Sequence, residues 1–93
     1  MKIIAIDLGD TRTGIACCDE NEQLAFPVET ILEKNEQMLL KKIADKIKQL
    51  NAKLAVVGNP INMDGSRGFR SLKCEKFAHK LKKITNITIE LYD

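Results

Sequence analysis

Ninety-three residues, 44% of them hydrophobic, make one small domain with a single modest core. Fifteen lysines and arginines against thirteen acids leave a net charge of +2, and no apolar run reaches the roughly 18 residues of a membrane span. Three cysteines, with Cys17 and Cys18 adjacent, argue against a disulfide framework and for a reducing compartment, so a cytoplasmic protein is expected. Asp7 interrupts the first apolar run too early for a signal peptide.

The run from Ile3 to Ile6 is continuous and β-branched. It predicts a strand over about 2–8, covered on both faces and ending on Asp7. Gly9 then allows a sharp turn to residue 12, or a close approach to a phosphate. A second strand, about 13–19, puts Ile15 and Cys17 on one side and Ala16 and Cys18 on the other. A polar turn leads to a third strand, about 23–32. Pro27 inside it cannot donate to a ladder, which predicts a sheet edge. Asn35 can cap a helix, with Glu36 at its positive end. Leu39, Leu40, Ile43, Ile47 and Leu50 fall on one helical face, and Asn51 is a stop. Residues 53–58 form a fourth, central strand. A polar loop follows, then a helix over about 67–84 with Cys74, Phe77, Ala78, Leu81 and Ile84 facing the core. Residues 87–92 alternate as a fifth strand. The order β-β-β-α-β-α-β favours right-handed crossovers. Strands 1, 4 and 5 are then parallel, with 2 and 3 as an antiparallel extension.

Ligand sites in parallel segments lie beyond the carboxyl ends of the strands. Asp7, the 59–68 loop and Asp93 all come to that end. Two carboxylates there suggest Mg²⁺ or Mn²⁺ bound through oxygen, or else two unrelated surface acids. The loop carries Asn59, Asn62, Asp64, Gly65, Ser66 and Arg67 before a helix start, where backbone amides favour an anion. It lacks the Gly-Lys-Ser/Thr of a nucleoside triphosphate loop, and it also reads as an ordinary helix entry. Lys73, Lys76, Lys80 and Lys83 share a stripe of about 80° at helical spacing. That stripe is either a polyanion surface or a solvated face. Residues 1–33 carry a net −5 and residues 65–84 a net +6. With 4% aromatics, base stacking is not the expected grip on nucleic acid. Cys74 and His79 lie on different faces of their helix, so zinc is not expected.

Ala5-Ile6-Asp7-Leu8-Gly9 with Arg12 and Gly14-Ile15-Ala16, then Val56-Val57-Gly58-Asn59-Pro60 with Asn62-Met63-Asp64-Gly65-Ser66, then Leu91-Tyr92-Asp93, resemble the YqgF/RuvX family. Its members are described as pre-16S rRNA nucleases and as Holliday junction resolvase-like proteins. The resemblance spans the whole chain. It implies an α/β, ribonuclease H-like fold with a mixed sheet of order 3-2-1-4-5. It implies that Asp7 is the catalytic metal ligand and that Asp93 opens the family's second acidic segment. A third carboxylate, on a final helix, has no position here, so residues 1–93 read as one domain incomplete at its C-terminus. Asn59 and Arg67 depart from the family's usual residues.

On this reading Asp7 and Asp93 are catalytic and hold Mg²⁺ or Mn²⁺. Gly9, Arg12, Asn59, Asn62, Gly65, Ser66, Arg67, Lys73, Lys76 and Lys80 bind substrate. Strand 4 lies between strands 1 and 5, so the two acids stand about 10 Å apart and meet one ion directly or through water. The expected substrate is structured RNA, with branched DNA as the alternative. A non-catalytic nucleic-acid-binding module remains open. The segment Asp7–Arg12 also resembles the first phosphate loop of actin-like ATPases and sugar kinases, whose second lobe is missing from this sequence. An uncovered sheet edge or face favours a homodimer.

Overall fold

The computed structural model describes residues 2–9, 11–19, 26–58 and 69–92. Five strands and two helices follow in the order β1 (Lys2–Asp7), β2 (Arg12–Asp19), β3 (Phe26–Leu32), α1 (Glu36–Leu50), β4 (Ala52–Gly58), α2 (Phe69–Thr85) and β5 (Thr88–Tyr92). The sheet order is β3-β2-β1-β4-β5. β1 runs parallel to β4, and β4 to β5, while β2 is antiparallel to both β1 and β3. This is the expected topology, and Pro27 does lie on an edge strand.

Local chemistry explains where α1 begins and ends. The Asn35 side chain accepts the Met38 N–H at 3.0 Å, satisfying a donor that the first turn leaves free. Glu33 accepts the Asn35 N–H at 3.2 Å and the Lys42 ammonium at 2.8 Å. At the other end Asn51 takes a left-handed conformation, φ 55°, and its N–H returns to the Lys48 carbonyl at 3.1 Å. Asn86, φ 61°, closes α2 in the same way, bonding the Lys82 carbonyl at 2.9 Å. Asparagine tolerates this region better than other non-glycine residues.

Both helices pack on one face of the sheet. Their buried residues, Leu39, Leu40, Ile43 and Ile47 from α1 and Cys74, Phe77, Ala78 and Leu81 from α2, form one cluster with Ile4, Ile6, Ile15, Ala55 and Val57. Two right-handed crossovers, β3-α1-β4 and β4-α2-β5, move in the same direction across the sheet and so land on the same side. The expectation that β1 is covered on both faces is therefore corrected. Ile4 and Ile6 are buried, whereas Ile3 and Ala5 on the other face are half-buried and Asp7 is exposed. A groove of about 530 Å³ runs over that face between Asp7, Ala16, Val28 and Val56.

One further expectation changes. Ile84 is 57% exposed, not part of the core. The buried row of α2 steps from Leu81 to Thr85, which is half-buried and whose hydroxyl donates to the Leu81 carbonyl at 2.8 Å. Ile84 is thereby turned off the core face. Cys74 is buried as a small hydrophobe, but Cys17 and Cys18 are half-buried; none of the three is in a disulfide. No helix is long and apolar enough to cross a membrane among the described residues.

Candidate active site

The pleat places Asp7. Ile4, Ile6 and Leu8 point into the core, so the residue between the last two must point to the face without helices. Its neighbours there are set by register. Gly14 of β2 lies opposite Asp7, and Ile6 pairs with Val57, which brings Gly58 of β4 alongside. A Cβ at Gly14 would lie 3.7 Å from the Asp7 Cβ. One at Gly58 would lie 3.8 Å from Asp7 Oδ1. The carboxylate thus stands between two positions that lack side chains, in a cradle that methyl groups would begin to fill.

Gly9 and Arg12 are placed by the turn that follows. A Cβ at Gly9 would come 2.1 Å from the Arg12 carbonyl oxygen, a distance that no side chain tolerates. The glycine is required because the Arg12 backbone occupies that space. Thr11 in the same turn accepts the Glu33 N–H at 3.1 Å, tying the turn to the end of β3. Arg12 is exposed. It alternates with buried Thr13 and so shares the face of Gly14 and Asp7.

The lysine stripe does not join this face. Lys73, Lys76, Lys80 and Lys83 belong to α2, in the layer on the other side of the sheet. Lys76 and Lys83 are exposed, and Lys80 is ion-paired with Glu36 at the start of α1. That pair braces the two helices against each other and neutralises a charge expected to meet phosphate. Asp93, and Asn59, Asn62, Gly65, Ser66 and Arg67 of the loop, lie outside the described residues.

A hard divalent cation asks for carboxylate oxygen and room for its own waters, and Mg²⁺ is commonly held by one or two carboxylates. Asp7 in its glycine cradle fits that demand. No cluster of three or more His, Cys, Asp or Glu side chains able to hold a metal occurs among the described residues. The structure adds Gly14 and Gly58 as neighbours of the carboxylate. In the sequence Gly58 ends an apolar run and falls within a family motif, but its proximity to Asp7 depends on strand register.

The sequence model of the RuvX family, described as Holliday junction resolvase, matches residues 1–93. A protein of Pelagibacter ubique (strain HTCC1062), named "Putative pre-16S rRNA nuclease", is 34% identical over 93 residues. One of the same name from Anaeromyxobacter sp. (strain Fw109-5) is 33% identical over 93 residues. All of this chain aligns with each, and it spans 62% and 68% of their respective lengths. Among solved structures, T. thermophilus RuvC in complex with Holliday junction substrate superposes with a TM-score of 0.68 at 10% identity, covering 99% of this chain and 64% of that one. At that identity the likeness concerns the fold. The match along all 93 residues carries the assignment: this chain belongs to the RuvX family.

Proposed function

We propose that the chain is the core of a metal-dependent endonuclease that hydrolyses phosphodiester bonds in structured RNA, the precursor of 16S ribosomal RNA. The observation that carries this reading is the exposed Asp7 carboxylate, held between Gly14 and Gly58 on the open face of the sheet. The names of the relatives supply the substrate.

Asp7 would hold Mg²⁺ or Mn²⁺, with Asp93 as the second carboxylate. Such an ion, when bound, lowers the pKa of water and stabilises the leaving oxygen. The chain's own contribution is placement. The pleat aims Asp7 away from the core, and the glycines leave space for a phosphate group beside it. Arg12 on the same face offers a planar, permanently charged donor to the backbone of the nucleic acid. The loop residues Asn59, Asn62, Gly65, Ser66 and Arg67 would border the phosphate path with Gly9. Lys73 and Lys76, in the helix layer, would attract the polyanion at longer range and in a salt-dependent way. Lys80 contributes less there because Glu36 holds it.

Branched DNA is the second reading. It is favoured by the family description and by the fold shared with a resolvase bound to a Holliday junction. One assay separates the readings. Wild type and Asp7→Asn are incubated with precursor RNA and with four-way DNA in Mg²⁺, Mn²⁺ or EDTA. Metal-dependent cleavage of RNA that Asp7→Asn abolishes is the expected result. Unchanged cleavage by Asp7→Asn refutes the role of the carboxylate. Binding without cleavage of either substrate would make the chain a nucleic-acid-binding module.

A further inference from the structure

Gly58 ends β4 beside Asp7, and nothing among the described residues requires a glycine there. A Cβ there would lie 3.5 Å from the Ile6 carbonyl oxygen, 3.8 Å from Asp7 Oδ1 and 3.9 Å from Asp7 Cα. Each distance is an ordinary van der Waals contact. The backbone of Gly58 is not in the left-handed region, so glycine's conformational freedom is not in use. Glycine weakens a strand through its backbone entropy, so on local grounds alanine would suit this position better. Gly9 is the contrasting case, where a Cβ meets backbone at 2.1 Å and the fold itself demands glycine.

What alanine at 58 would change is the space against the carboxylate. Oxygen ligands approach Mg²⁺ to about 2.0–2.1 Å, and the ion retains several waters. A methyl carbon 3.8 Å from Oδ1 would narrow the space open to such a hydrated ion on that side. We infer that Gly58 is a positioning residue that keeps the Oδ1 side of Asp7 clear for a hydrated divalent cation. Residue 58 thereby sets the affinity for that cation without holding it. This rests on the reading of Asp7 as a metal ligand.

The test is a Mn²⁺ titration of the isotopically labelled 93-residue chain, followed by paramagnetic broadening of its amide resonances, with thermal melts in parallel. Wild type, Asp7→Asn and Gly58→Ala are compared. In wild type the amides of Asp7 and Gly14 broaden first, and Asp7→Asn abolishes that site. Gly58→Ala needs about tenfold or more Mn²⁺ for the same broadening, the scale typical of residues next to a metal's ligands. Its melting temperature moves by no more than about 4 °C. A Gly58→Ala titration identical to wild type overturns the inference and leaves Asp7 in place. Broadening that Asp7→Asn does not affect overturns the metal-ligand reading and the inference with it. Unfolding of Gly58→Ala also overturns the inference, which requires that the fold accept the methyl.

Discussion

Replacing Gly9 with alanine should strain the turn between β1 and β2, just beyond Asp7, and lower the stability of the domain. The added Cβ would sit 2.1 Å from the Arg12 carbonyl oxygen and 3.3 Å from its carbon. Relief requires that carbonyl to retreat by about 1 Å, since side-chain contacts below 3.0 Å essentially never occur. Arg12 cannot retreat alone. It opens β2 opposite Leu32, and the preceding carbonyl, of Thr11, accepts the Glu33 N–H at 3.1 Å. The strain therefore passes into the β2–β3 ladder and the cap of α1. Overpacking costs about 1–3 kcal/mol, and a backbone partner puts this case at the upper end, about 3 kcal/mol. In a domain of this size each kcal/mol lowers the melting temperature by about 4–8 °C, so a fall of about 12–24 °C is expected. Circular-dichroism melts of wild type and Gly9→Ala measure it directly. A fall below about 4 °C would show that the turn can open cheaply, and the steric account of Gly9 would be wrong.

Three other substitutions probe independent parts of the molecule. Thr13 is fully buried, and its hydroxyl has no hydrogen-bond partner among the described residues. Thr13→Val should raise stability by about 1 kcal/mol in urea unfolding, because an unsatisfied polar group is removed at constant shape. A loss of stability would reveal a bond to that hydroxyl. Phe77 is 1% exposed at the junction of α2 with the sheet. Phe77→Ala should cost about 3–5 kcal/mol, enough to leave a domain this small largely unfolded at 37 °C, as judged by loss of amide dispersion. The Glu33 carboxyl is held below its usual value of 4.5, first by the Lys42 ammonium and then by the Asn35 N–H. The unfolded chain thus binds that proton more readily than the folded one. The contribution of Glu33 is complete above pH 4.5 and fades as pH falls toward the lower folded value. Glu33→Gln should therefore lose less of its urea midpoint between pH 6 and pH 3 than wild type. Parallel losses would place the acid sensitivity elsewhere.

Much of the fold was legible because it rests on local chemistry. Asn35 and Asn51 bracket α1, since one side chain can replace a missing acceptor and the other residue can turn left-handed. Pro27 marks an edge because it has no N–H to give. Ile84 was misread because a row at 74, 77, 78 and 81 continues equally well to 84 or 85. The choice depends on how α2 sits against α1 and β5. The second cover on β1 was misread for a similar reason. An apolar run reports that a strand is central, not that a second layer lies over it.

The same division holds for the candidate site. An aspartate ending a β-branched run and followed by glycine is a feature of consecutive residues, so Asp7 could be singled out from them alone. The element order supported parallel strands 1, 4 and 5, and the sheet order 3-2-1-4-5 came with the family resemblance. Tertiary structure decided the surroundings of the carboxylate. Strand register brought Gly14 and Gly58 to its two sides, although 7 and 44 residues separate them from Asp7 and from Gly14 respectively. The packing of both helices on one face left the face of Asp7 without a helix among the described residues and put the lysines of α2 behind the sheet. Sequence periodicity specifies which way a side chain points within its own element. Which groups it meets across the sheet is a long-range property, fixed when the strands align.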